Sequence, residues 1–98
     1  MDIESADRPP LRQATEDDLR RVFTGEFETP LSLVRNYGDR LETTEASAGE
    51  YRLAYYEAVT GRWHEATAPL TLAQVKDAFS DYFQGNWNWH PRHEWRTM

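Results

Sequence analysis

Residues 68–85 read Ala68-Pro69-Leu70-Thr71-Leu72-Ala73-Gln74-Val75-Lys76-Asp77-Ala78-Phe79-Ser80-Asp81-Tyr82-Phe83-Gln84-Gly85. Thr71 and Gln74 stand at the Thr-x-x-Gln spacing of a capping box, and Leu70 and Val75 at that of the accompanying hydrophobic staple. Leu72, Val75, Phe79, Tyr82 and Phe83 form one apolar stripe at helical period. Lys76, Asp77, Ser80, Asp81 and Gln84 fall on the side expected to face water. Gly85 can adopt the left-handed conformation that ends a helix. The stretch therefore predicts one amphipathic helix, which needs a sheet to bury its stripe.

Downstream comes Asn86-Trp87-Asn88-Trp89-His90-Pro91-Arg92-His93-Glu94-Trp95, with three of the chain's four tryptophans and two of its three histidines. Indoles left in water would make an apolar patch that soluble monomers rarely carry without a partner. Residues 86–95 are expected to fold back on the sheet or the second helix, with Trp89 or Trp95 substantially buried. A partner-binding role for the same rings stays open. Arg92 and Arg96 are placed to stack on them.

Upstream, Thr15-Glu16-Asp17-Asp18-Leu19-Arg20-Arg21-Val22-Phe23-Thr24-Gly25 predicts a short helix. Thr15 caps it, three acids meet the positive end of its dipole, and Leu19, Val22 and Phe23 share a face. Gly25 is expected to end it in the left-handed conformation. Between the helices lie four short strand signals over residues 31–35, 40–45, 50–57 and 62–66, with turn residues between them. Tyr51, Leu53 and Tyr55 alternate with Arg52, Ala54 and Tyr56. The second of these strands has Leu41 as its only large apolar residue, which places it at an edge or in solvent. Residues 1–14, with the Pro9-Pro10 pair and no apolar period, read as a flexible lead-in. The expected fold is α+β: a single two-layer domain over 15–98, a four-stranded antiparallel meander flanked by an N-terminal and a C-terminal helix, in the order α-β-β-β-β-α.

Ninety-eight residues are enough for one core and one domain. The absence of cysteine excludes disulfides and a thiolate nucleophile. The acidic N-terminus lacks the apolar segment of a signal peptide, and no apolar run reaches membrane-span length. A cytoplasmic protein is expected. The net charge of −6 argues against general binding to nucleic acid and suits a basic partner, although solvation alone also accounts for it. The basic residues are ten arginines and one lysine, Lys76.

Three groups of residues bear on chemistry. His64, His90, His93 and Glu94 are metal-ligand types, but no His-Glu-x-x-His or paired-cysteine spacing is present, and Pro91 draws His90 toward extended backbone. The tryptophan cluster is the second. The third is the polar outer sheet surface, where Glu42, Thr44, Arg52, Tyr56, His64 and Ala66 are candidates and a solvated face is the plain alternative. The serines at 5, 32, 47 and 80 sit in no nucleophile-elbow pattern, and there is no Walker loop or Gly-x-Gly-x-x-Gly. No catalytic residue, metal ligand or cofactor is assigned.

Tyr51-Arg52-Leu53-Ala54-Tyr55, then Pro69 to Gly85, then Asn86, Trp89 and Trp95 carry a resemblance. The chain from about 15 to 95 resembles small bacterial immunity proteins of polymorphic-toxin systems and related small actinobacterial proteins. The resemblance implies a non-enzymatic inhibitor of a toxin. The second strand departs from the group's Tyr-x-Gln-Ala-like segment and reads Leu41-Glu42-Thr43-Thr44-Glu45-Ala46, so the partner's identity does not carry over. The expected function is a protein-binding module, an immunity protein against a basic toxin, with Glu42, Thr44, Arg52, Tyr56 and His64 as the expected partner-binding residues. The alternative is a small-ligand or metal-binding domain built on the His/Trp-rich tail.

Overall fold

Thr71 does cap a helix: its hydroxyl accepts from the Gln74 N–H (3.2 Å), and the Gln74 side chain accepts from the Thr71 N–H (2.9 Å). Helix α2 spans Leu72–Gln84 and ends at Gly85 with φ +82°, in the left-handed region. The first helix, α1, spans Glu16–Thr24 and carries a capping box of its own, Thr15 with Asp18. Its end differs from expectation. Gly25 is extended (φ −130°), and the Thr24 hydroxyl donates to the Arg20 and Arg21 carbonyls, the second of them among those the helix end leaves free. These elements belong to a computed structural model that describes residues 1–6, 8–25 and 27–98.

The α+β class stands, but the sheet is larger than the expected four strands. Among the described residues it has seven: β1 Asp2–Ser5, β2 Arg8–Leu11, β3 Leu31–Val34, β4 Arg40–Ser47, β5 Glu50–Glu57, β6 Arg62–Ala66 and β7 Trp95–Thr97. Their spatial order is β2-β1-β3-β4-β5-β6-β7, and neighbouring strands run antiparallel. The segment expected to be a flexible lead-in supplies β1 and β2, although Asp7 within it lies outside the described residues. One buried side chain, Ile3, anchors β1 opposite Leu33. Two prolines confine β2 to the edge, where missing N–H groups leave no ladder bond unmade.

Strand β4 is a further correction. It lies in the middle of the sheet, with Leu41 and Thr43 fully buried. Thr43 is tolerated there because its hydroxyl donates to the Arg52 carbonyl at 2.8 Å. Both helices lie on one face: α2 packs on β4 and β5, and α1 packs on α2. Leu31, Leu33, Leu41, Leu53, Val75 and Phe79 form the interior beneath them.

The tail folds back as expected. The Asn86 N–H bonds the Asp81 carbonyl, and the Arg92 guanidinium lies 3.1 Å from the Asp81 carboxylate, so Asp81 tethers the tail instead of facing water. Trp89 is 2% exposed. Its ring lies edge-on to Tyr55, Tyr82 and Trp95, with centroids 5.2–5.7 Å apart. The chain then closes the sheet as β7 beside β6.

Candidate functional site

Among the described residues, no helix packs on the face of the sheet turned away from α1 and α2. Cross-strand register builds one transverse row on it: Glu4 opposite Ser32, Ser32 opposite Glu42, Glu42 opposite Ala54, Ala54 opposite Glu65, and Glu65 opposite Arg96. Ala54 is the smallest member. The row dips there into a pit of about 170 Å³ bordered by Glu42, Thr44, Arg52, Trp63, Glu65 and Met98. In the adjoining row Arg40 pairs with Tyr56, and Tyr56 with Trp63. The Tyr56 and Trp63 rings are 5.3 Å apart and tilted by 48°.

Charge on this face is ordered by short contacts. Arg52 and Arg96 both donate to Oε1 of Glu65, at 3.1 and 3.2 Å. The Ser32 hydroxyl donates to Glu42 at 3.0 Å, and Arg40 lies 3.7 Å from Glu4. Ser32 is itself 3% exposed, so its hydroxyl holds Glu42 in place and is closed to a substrate.

Four of the five residues expected to bind a partner, Glu42, Thr44, Arg52 and Tyr56, do share this outer face. His64 does not, and neither does Ala66. His64 is directly opposite Tyr55 and lies on the helix-covered side, stacked on that ring at 4.6 Å. Its Nδ1 is 3.0 Å from the Thr97 hydroxyl and its Nε2 is 2.5 Å from Glu57. Ala66 is buried on the same side. Alternation alone fits β6 in either orientation; the register with β5 selects Trp63 and Glu65 for the outside. Those two residues and Arg96 were not legible as members of the face.

The tail histidines are engaged in packing. His90 Nε2 is 3.1 Å from the Tyr55 hydroxyl, and the Trp95 indole donates to the His90 carbonyl at 2.7 Å. Burial, with Glu57 adding to it, pushes the Tyr55 phenol above its ordinary pKa. Burial and then the Arg92 charge lower that of His93. Among the described residues no group of three or more His, Cys, Asp or Glu is arranged to hold a metal ion.

No model of a known protein family matches this chain, and neither a curated protein nor a solved structure matches it. Within the described residues no helix is long and apolar enough to cross a membrane.

Proposed function

We propose that the protein is a non-enzymatic protein-binding module that docks its partner on the uncovered sheet face. The observation that carries this reading is the Tyr56–Trp63 pair set beside the Arg52–Glu65–Arg96 ion pairs around one shallow pit. Tyr, Trp and Arg are the residue types that dominate interface hot spots. A pit that receives one anchoring side chain suits a partner better than a reaction.

The specific form we favour is an immunity-type inhibitor of a basic toxin in the cytoplasm. The residue order noted above supports it, as does the net charge of −6, which attracts a basic protein at rates that fall with added salt. The face sets Asp2, Glu4, Glu42 and Glu65 against Arg40, Arg52 and Arg96, with Asp2 already paired to Arg12 at 2.9 Å, so it carries little net charge of its own. Steering therefore comes from the whole molecule, and the face supplies fit and register.

Affinity capture from the source cell tests this, using wild type, Trp63→Ala, Arg52→Glu and the variant Ala73→Ser, exposed on α2 on the other side of the sheet, as baits. The expected result is one basic protein held by wild type and Ala73→Ser, lost by the other two, and inhibited by the wild-type chain when purified. Recovery of the same proteins by all four baits, or of no specific protein, removes the reading.

A further inference from the structure

A depression lies on the opposite side of the molecule, between the two helices. It encloses about 380 Å³, a size common for small-molecule sites. Glu16, at the start of α1, accepts a hydrogen bond from Gln84, at the end of α2, at 3.2 Å. The helices therefore run in opposite directions, and this contact closes one end. Eight residues further along each helix, about 12 Å away at helical rise, stand Thr24 and Lys76. The floor is apolar. Leu19 is 4% exposed, and Phe23 packs edge-on against Phe79 at 5.5 Å.

The mouth is polar, with the Glu16 carboxylate at one end and the Lys76 ammonium toward the other. Lys76 is the only lysine in the chain. Acidic residues outnumber basic ones by 17 to 11, yet Lys76 forms no ion pair among the described residues. Arg20 stands across the groove, held by Asp17 at 2.6 Å. An apolar trough with an unpaired ammonium at its mouth complements a ligand with an apolar body and an anionic head.

We propose that this groove binds a small apolar carboxylate, its hydrocarbon on Phe23 above the buried Leu19 and its carboxylate at Lys76. The site lies away from the open sheet face, so its fate and that of the protein-binding reading are separate.

The single lysine permits a direct test. Reductive ¹³C-methylation keeps its charge and leaves one side-chain signal beside that of the N-terminus. Decanoate, decanol and acetate are titrated while the Lys76 methyl signal and the Leu19 methyl signals are followed by NMR. The expected result is a saturable shift of both with decanoate, and none with acetate. Followed through Leu19, Lys76→Gln weakens decanoate by roughly three- to fivefold, the worth of one exposed ion pair, and leaves decanol unchanged. Val59→Ser serves as the surface control. No saturable shift with decanoate overturns the proposal. So does equal decanoate affinity in wild type and Lys76→Gln, which would show apolar adhesion without recognition of the carboxylate.

Discussion

The Tyr55 hydroxyl and Nε2 of His90 meet at 3.1 Å, joining the fifth strand to a tail residue 35 positions away in sequence. Tyr55 is also the ring against which His64, Trp89 and Trp95 pack. It is therefore the point where sheet, tail and last strand are held together. Tyr55→Phe keeps the ring and removes the hydroxyl. The expected loss is about 1 kcal/mol, the net value of a typical hydrogen bond, read as a lower urea midpoint with an unchanged slope.

Trp89→Ala should be far more severe. The indole is buried among five other rings, Tyr55, Tyr82, Trp87, His90 and Trp95, and truncating a core tryptophan costs roughly 3–5 kcal/mol. That is a large share of the stability of a domain this size. The Trp89 N–H is buried without an acceptor among the described residues, so Trp89→Phe discards no hydrogen bond and should cost clearly less than Trp89→Ala. Denaturant melts of the two variants separate ring packing from polar contact.

Chain reversal at Gly85 rests on backbone geometry. With φ at +82° and nothing within 4 Å of a Cβ built there, Gly85→Ala meets strain and no clash. A loss of about 1–2 kcal/mol is expected, the cost of a left-handed alanine. A steric account predicts losses that grow with side-chain size, so that Gly85→Asn is worse than Gly85→Ala; the backbone account predicts instead that Gly85→Asn, which tolerates the left-handed region, is milder than Gly85→Ala. Thermal melts of the two variants decide between them.

His93 predicts a pH response. Its pKa is lowered in the folded protein from the ordinary 6.5, so the unfolded chain binds the proton more readily. The stability linked to this group is therefore fully present above pH 6.5 and is lost as pH falls through the lower folded value. His93→Gln should flatten the fall in urea midpoint over that window. An unchanged slope would show that burial of this ring does not govern its protonation.

Much of the fold was legible because it is set by neighbours in sequence. Both helix starts follow from a threonine and a partner three residues on, and the stop at Gly85 from one residue's freedom to take positive φ. The buried stripe of α2 follows from helical period, with Val75, Phe79 and Tyr82 inside. Burial of Trp89 follows from the cost of leaving three indoles in water. Each depends on interactions within a few residues or on composition, so the amino-acid order suffices to determine it.

Tertiary pairing alone decided the rest. Asp2–Ser5 and Trp95–Thr97 carry too few apolar residues to announce strands, and they become strands because Leu33 and Ala66 present partners opposite Ile3 and Trp95. Polar-looking β4 is central because neighbours on both sides bury Leu41 and satisfy Thr43. His64 faces inward, and Trp63 and Glu65 outward, through a register that alternation in β6 leaves undetermined. A strand's period of two fixes which residues share a face. Which face meets the core depends on strands distant in sequence, and only the assembled sheet supplies them.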